Sequence, residues 1–187
     1  MYKRMILSAI AGLAMGAGAE TFKIDTGHAE IGFAAKHMMV SNTKGKFNTF
    51  EGTLDYDIAT KTLKSAQGTI DAASIDTNNE KRDEHLRNED FFNTAKFPKI
   101  TFRSTSVKKT GDNEFEVAGK LTVLGIDRDV VLPVTIIGPV EGRGGATLIG
   151  VECNTTLNRR ALGIDHAPAA VIGDDVKISI ELEAGYK

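Results

Sequence analysis

Apolar and polar residues alternate along most of the chain after residue 20. The clearest example lies near the C-terminus, where charged or polar residues separate Val176, Ile178, Ile180 and Leu182. A period of two predicts a β-strand with one buried side and one solvent-facing side. Similar runs occupy 29–35, 100–102, 115–123, 130–136 and 148–153. The pattern therefore predicts an all-β chain.

Glycine-containing turn signals separate these runs, at 110–113, 124–127 and 142–145. Their spacing is typical of successive hairpins, and most intervals are too short for the helical crossovers that parallel strands require. We count about eight or nine strands, which is enough to close a small barrel. The fold class predicted is a single antiparallel, lipocalin-like β-barrel of about eight strands with a short surface helix.

Two segments depart from simple alternation. Phe47 and Phe50 are three residues apart, so we expect a β-bulge near Asn48 or Thr49 that bends the strand. The polar segment 77–88 does not alternate and predicts a short helix, in which Thr77 and Glu80 have the spacing of a capping box. We expect three apolar side chains to hold this helix against the barrel, namely Leu86, Phe91 and Phe92.

The first 19 residues have the features of a secretory signal peptide. Lys3 and Arg4 precede an apolar run at 5–15, and small residues follow up to Ala19. The run is shorter than the roughly 20 residues that span a bilayer, which argues against a membrane anchor. We expect a signal peptide at 1–19, a barrel domain at 20–187 and a periplasmic location.

Charge and cysteine content narrow the possible partners. After removal of Lys3 and Arg4, 25 acidic side chains face 21 basic ones, a net charge of −4. A mildly acidic chain is a poor ligand for nucleic acid. Cys153 is the single cysteine, so no internal disulfide can form, and its place in an alternating strand favours a buried, unreactive thiol.

Catalytic and metal-binding motifs are absent from the sequence. It contains no nucleophile elbow, P-loop or paired-cysteine motif, and none of His28, His37, His85 and His166 has metal-ligand spacing with another histidine. A hydrolase or isomerase using His37 or His85 with Asp83 remains a less favoured alternative. We therefore expect no enzyme activity, no metal and no cofactor.

Alternation cannot decide whether the barrel is filled by side chains or holds a ligand. Small residues at inward positions and the absence of tryptophan favour a cavity. The small residues are Ala29, Ala35, Ala66, Gly68, Ala72, Gly119, Ala146 and Gly150. The alternative is a filled barrel that acts through its surface as a stress or scaffold protein.

Several short motifs follow one another in a fixed order along the chain. The most specific block is 82–86 (RDEHL) with 90–92 and 97–102, and further motifs lie at 24–37, 45–52, 74–77, 119–125, 159–164 and 173–174. Together these motifs resemble the YceI-like family of polyisoprenoid-binding proteins. The resemblance covers about residues 22–184. This chain departs from the family pattern at three positions, where Phe22 replaces tryptophan, Ala29 replaces serine and Leu162 replaces phenylalanine.

The resemblance implies a periplasmic, non-enzymatic barrel whose elongated apolar pore holds a polyprenyl phosphate, an isoprenoid quinone tail or a fatty-acid amide. The acidic net charge favours no nucleic-acid partner and at most transient membrane contact, and we expect a monomer or homodimer. We expect the pore to be lined by Ile31, Phe33, Phe50, Ile70, Phe102, Leu121, Val134 and Ile180.

Three polar residues are candidates for contact with the ligand head group. His37 continues the buried parity of its strand to an inner or rim position, and its alternative role is a structural, hydrogen-bonded histidine. Arg82 shares a helix face with His85, and its alternative is a solvated helix surface. Arg159 could form a fork onto a phosphate or carbonyl at the barrel mouth, and its alternative is a salt bridge with a nearby acid.

Overall fold

The alternating segments form ten antiparallel strands and one helix. The structure is a computed structural model that describes residues 18–187, so most of the predicted signal peptide lies outside the described residues. The elements are β1 (Glu20–His37), β2 (Ser41–Phe47), β3 (Phe50–Asp57), β4 (Thr62–Asp71), β5 (Ile75–Asp76), α1 (Glu80–Arg87), β6 (Lys99–Lys109), β7 (Glu114–Val123), β8 (Ile126–Glu141), β9 (Thr147–Asn158) and β10 (Ile172–Tyr186).

The first and last strands pair with each other and close the sheet into a barrel. Their register runs from Lys23 opposite Gly185 to His37 opposite Ile172. The strand order places β2 beside the second half of β1 and β3 beside its first residues, so β2 and β3 act as one bent strand. With β4 and β5 counted in the same way, eight strands encircle the interior. The predicted fold class is confirmed.

The bend between β2 and β3 lies where the sequence predicted it. Asn48 and Thr49 leave the strand geometry, and their backbone N–H groups bond instead to the carbonyl and hydroxyl oxygens of Ser74, at 3.1 and 3.0 Å. These bonds satisfy the donors that the interrupted ladder would otherwise leave without partners. The bend directs β2 towards β5 and away from the path of β3.

Two apolar clusters occupy opposite ends of the barrel. The closed-end cluster is formed by Phe22, Leu54, Tyr56, Leu63, Phe115, Val117, Val134, Ile136, Ile149, Val151, Cys153 and Ala184. The helix-end cluster is formed by Phe47, Ala72, Ile75, Phe91, Ile100, Val123 and Ile164, with Leu86 and Phe92 packed against it. The expected contacts of Leu86, Phe91 and Phe92 with the barrel are therefore confirmed. Within residues 18–187, no helix is long and apolar enough to cross a membrane.

The start of α1 differs from the predicted capping box. Asn79 is the N-cap, and its side chain accepts a hydrogen bond from the Arg82 N–H at 3.0 Å. Thr77 instead bonds to the buried carboxylate of Asp83, through its N–H at 2.9 Å and its hydroxyl at 2.6 Å. Since both groups are buried, these bonds fix the helix to the strand that precedes it. Arg87 pairs with Glu80 on the same helix.

We expect Asp83→Ala to destabilise the barrel by about 2 kcal/mol, because the Thr77 N–H then stays buried without an acceptor. The matched control is Glu84→Ala, an exposed neighbour on the same helix, which should change the free energy of unfolding by less than about 0.5 kcal/mol. Urea denaturation followed by circular dichroism measures both. Equal stability of the two variants would show that the buried pair does not hold the helix.

Candidate functional site

An apolar cavity of about 300 Å³ lies inside the barrel between the two clusters. Every strand except β5 contributes to its wall, together with Leu86, Phe91 and Phe92 and the loop that follows β9. Few of the wall residues are polar, and Gln67 and Arg159 are among them. The closed-end cluster blocks one end, and α1 with the loop after β9 covers the other. The filled-barrel alternative therefore does not describe this interior.

The cavity explains why several inward-facing apolar side chains are only partly buried. Ile31, Phe33 and Phe102 pack against the clusters and line the cavity, yet each keeps accessible surface. A side chain in a packed interior has no such surface, because neighbours surround it completely. Here part of each side chain faces empty space, and that surface is available to an apolar ligand.

Seven of the eight predicted pore residues line the cavity, namely Ile31, Phe33, Ile70, Phe102, Leu121, Val134 and Ile180. Phe50 is buried but is not part of the wall. It is the first residue after the break at Asn48 and Thr49, where the strand changes direction, so parity alone misplaced it. Contact of the other seven with a ligand stays a prediction.

Two glycines allow aromatic rings to lie against the barrel wall. A Cβ atom at Gly119 would come within 2.6 Å of two ring carbons of Phe102, and a Cβ at Gly45 would collide with the ring of Phe33. The Phe102 ring covers Gly119 and the Phe33 ring covers Gly45, each on the adjacent strand, so neither ring fills the centre of the barrel. Three of the eight small residues that we expected to face inward also line the cavity, namely Ala35, Ala66 and Gly68, and the other five are not part of its wall.

Arg159 is buried, and its guanidinium has no hydrogen left for a head group. Its five N–H groups donate to the carbonyl oxygens of Gly173, Ile164, His166, Ala167 and Ile172, at 2.7 to 3.2 Å. One nitrogen also lies 2.9 Å from a carboxylate oxygen of Asp174. Burial lowers the pKa of Arg159 and Asp174 opposes this shift. The side chain therefore holds the 159–173 loop in place and pairs with a nearby acid, as the alternative interpretation of Arg159 described. A head-group role for Arg159 stays a prediction that these bonds do not favour.

The other two head-group candidates lie outside the cavity wall. Arg82 is exposed and donates from Nε to the Thr77 hydroxyl at 2.7 Å and from Nη2 to the Thr77 carbonyl at 2.8 Å. His37 is exposed at the end of β1, opposite Ser41 and Ile172. It therefore stands at the rim of the helix end and not inside the barrel. A head-group role for either residue stays a prediction.

The fold assembles a polar cluster that sequence spacing did not reveal. His85 Nε2 lies 3.0 Å from one oxygen of Asp90, and His166 Nδ1 lies 3.6 Å from the other. Two imidazoles and a carboxylate at these separations are able to ligate a zinc ion. Phe91 packs against both imidazole rings and lines the cavity, so this cluster adjoins the helix end. His85 pairs with Asp90, and Asp83 bonds to Thr77, so the geometry does not favour the His85–Asp83 pair of the enzyme alternative.

A second cluster lies at the irregular part of β1. His28 Nδ1 is 3.0 Å from Asp25, and Glu183 is close enough for the three to share an ion. The hydrogen bond from His28 lowers the pKa of Asp25, and the same bond raises the pKa of His28. All three groups are outside the cavity wall.

Cys153 lines the cavity and is buried, as its alternating position suggested. Burial raises the pKa of its thiol to about 11, since the thiolate loses solvation. A reactive nucleophile needs a lowered pKa, so this environment opposes a catalytic role.

We expect the Cys153 thiol to react with Ellman's reagent at pH 8 on the order of a hundredfold more slowly in the folded protein than in urea. The thiolate fraction alone predicts this ratio, because the folded pKa of about 11 lies well above that of an exposed cysteine. The rate should rise with pH until the thiol ionises. Equal rates in both states would contradict a buried, neutral thiol.

The geometry and the sequence now point to one family. Residues 22–184 match the sequence model of the YceI-like domain. The chain belongs to the YceI-like family. Protein YceI of Escherichia coli O157:H7 is 36% identical over 190 residues, which cover 98% of this chain and 97% of that protein.

Solved structures of the YceI-like fold superimpose on this barrel. The Campylobacter jejuni YCEI protein, 33% identical, has a TM-score of 0.76 and covers 81% of this chain and 90% of its own. A polyisoprenoid binding domain from Saccharophagus degradans, 16% identical, has a TM-score of 0.67 with coverage of 90% and 99%. At that identity the second likeness establishes the fold alone.

Proposed function

We propose that this YceI-like protein is a periplasmic, non-enzymatic carrier that shelters the apolar chain of an isoprenoid or related lipid. The observation that carries the proposal is the apolar cavity between the two clusters. Its volume of about 300 Å³ is at the lower end of the roughly 300–1,000 Å³ typical of ligand pockets. A domain of the same fold, from Saccharophagus degradans, is described as a polyisoprenoid binding domain.

Hydrophobic transfer supplies the driving force for this binding. Each buried methylene contributes about 0.8 kcal/mol, so about ten of them contribute about 8 kcal/mol before ordering costs. Before ordering costs are subtracted that sum corresponds to micromolar affinity, so the affinity of the apolar chain alone is weaker than that. Binding of this kind needs a continuous apolar wall in the protein and an apolar chain in the ligand. A polyprenyl phosphate, a quinone tail and a fatty-acid amide all have such a chain.

The chemistry around the cavity favours binding over catalysis. Cys153 is held neutral, Arg159 is fully engaged, and Asp83 is bonded to Thr77. A hydrolase needs a nucleophile, a base and an orienting acid within hydrogen-bond distance of one another. The His85–Asp90 pair lies outside the wall, although Phe91 beside it lines the cavity.

The proposed location and the proposed partners are supported by features of the sequence. The signal-like segment at 1–19 supports export to a bacterial periplasm, and the single cysteine argues against a disulfide-dense extracellular scaffold. The net negative charge supports a protein that does not bind nucleic acid.

We expect delipidated protein to bind a polyprenyl phosphate saturably, and Ala35→Phe to weaken binding more than about tenfold. Ala35 lines the cavity, so a phenyl ring there displaces the volume of two or more methylenes, worth about 0.8 kcal/mol each. Isothermal titration measures both affinities.

The matched control is Ala34→Phe, because Ala34 is the adjacent residue, lies outside the cavity wall and has Lys44 and Lys177 as its cross-strand neighbours. Its affinity should stay close to that of the unchanged protein. Lack of saturable binding, or equal weakening by both substitutions, would refute an interior lipid site. Native mass spectrometry of protein purified from cells adds the identity of any lipid that it retains.

A further inference from the structure

The turn between β1 and β2 presents three consecutive large apolar side chains to solvent. Met38, Met39 and Val40, together called the hairpin tip, are exposed by 53%, 58% and 84%. Single exposed apolar residues are common on soluble proteins, but a contiguous group usually marks a contact surface.

The backbone of the hairpin tip indicates that these residues are not there for turn stability. Met38 and Met39 have φ angles of 49° and 58°, and the Val40 N–H donates to the His37 carbonyl at 3.1 Å. This bond defines a β-turn whose two central residues have positive φ angles, a geometry that strongly favours asparagine followed by glycine. Methionine at both positions carries a conformational cost, and its exposed side chains gain no packing in return.

A second apolar segment lies beside the hairpin tip. The Met38 N–H donates to the Val171 carbonyl at 2.8 Å, which joins the turn to the loop after β9. The exposed residues before Val171 are Pro168, Ala169 and Ala170, none of which is charged. The two segments together form one uncharged edge at the helix end.

Lysines stand behind this edge on the outer face of the barrel. Lys44 and Lys177 flank Ala34 on adjacent strands, and Lys36 lies two residues closer to the tip. All three are exposed, and none takes part in an ion pair within residues 18–187. Asp175 shares this region of β10 and accepts a hydrogen bond from Asn158. The local charge is therefore positive on a chain whose net charge is negative.

The hairpin tip is also close to the cavity. Ala35 and Ile172 line the cavity, and Ile172 is directly opposite His37, the residue before the tip. Apolar side chains that enter a lipid surface at this point would bring the helix end of the cavity against the bilayer.

We propose that the hairpin tip inserts into the interface of an anionic lipid bilayer, with Lys36, Lys44 and Lys177 at the level of the head groups. Apolar residues at the leading edge and basic residues behind them match the two layers of such a surface. The proposal extends the carrier function to delivery and uptake of lipid, but it rests on residues outside the cavity wall. Loss of one property therefore leaves the other measurable.

The absence of tryptophan from the chain permits a site-specific test. The protein from residue 20 onward contains every described strand, and Val40→Trp places one reporter at the tip. With vesicles of phosphatidylglycerol and phosphatidylethanolamine, its emission should shift to the blue, as expected on entry into a less polar medium. Val131→Trp is the control, at a residue 58% exposed on β8, and should show no shift. No shift at Val40, or equal shifts at both sites, overturns the proposal.

A second variant separates membrane binding from folding. Met38→Asn combined with Met39→Gly installs the preferred turn, so the melting temperature should stay constant or rise. Co-sedimentation with the same vesicles should fall about tenfold or more, because both apolar side chains are lost. Undiminished co-sedimentation overturns the proposal.

The role of the lysines is tested with vesicles of different lipid composition. Lys36→Gln and Lys44→Gln should each lower affinity for the anionic vesicles about fivefold, and the unchanged protein should bind phosphatidylcholine vesicles more weakly. Equal affinity for both vesicle types overturns the role of the lysines. Titration with a soluble polyprenyl phosphate should remain unaffected in all these variants, because none of these residues lines the cavity.

Discussion

The hydrogen-bonded ladder between β1 and β10 is the interaction on which the molecule depends. It joins the two ends of the sheet, so every strand around the interior gains a neighbour on each side and no long edge is left open. Closure with eight strands produces an interior just wide enough for side chains or for one small ligand. The size of the side chains around the interior then decides whether side chains or a ligand fill it. Gly45 and Gly119 favour space for a ligand, because they let Phe33 and Phe102 lie against the wall.

The two ends of the barrel are closed by different physical means. The closed end relies on packing, with Phe22 and Tyr56 in an edge-to-face contact at 6.1 Å. The helix end adds to its apolar cluster the hydrogen bonds of buried polar groups, above all those of Arg159 and Asp83. A fully satisfied buried network is rigid and specifies one arrangement. Within residues 18–187 no buried side-chain nitrogen or oxygen lacks a partner.

Alternation along the sequence predicted β1, the strands from β6 to β10 and the barrel, because inward and outward positions follow directly from a period of two. It did not assign β2, β3, β4 and β5 individually. The bend at Asn48 was also visible, as a break in that period. Alternation predicted that Phe50, immediately beyond the bend, would line the pore, and it is not part of the cavity wall. Alternation also could not show that carbonyl oxygens surround Arg159, or that Asp90 lies between His85 and His166, because these arrangements depend on loops whose paths no local pattern encodes. The capping box predicted at Thr77 was wrong, because Asn79 is the N-cap and Thr77 bonds to the buried carboxylate of Asp83.

The closed-end cluster also has a consequence for selectivity among chains of different length. A hydrocarbon that enters from the helix end meets a fixed floor formed by residues such as Leu54, Val134 and Val151, all of which touch the cavity. The depth of that floor limits the length of the hydrocarbon tail that the cavity can hold. One smaller residue there would admit a longer tail without altering the sheet. Related barrels are thus able to sort lipids by length through changes at a few positions.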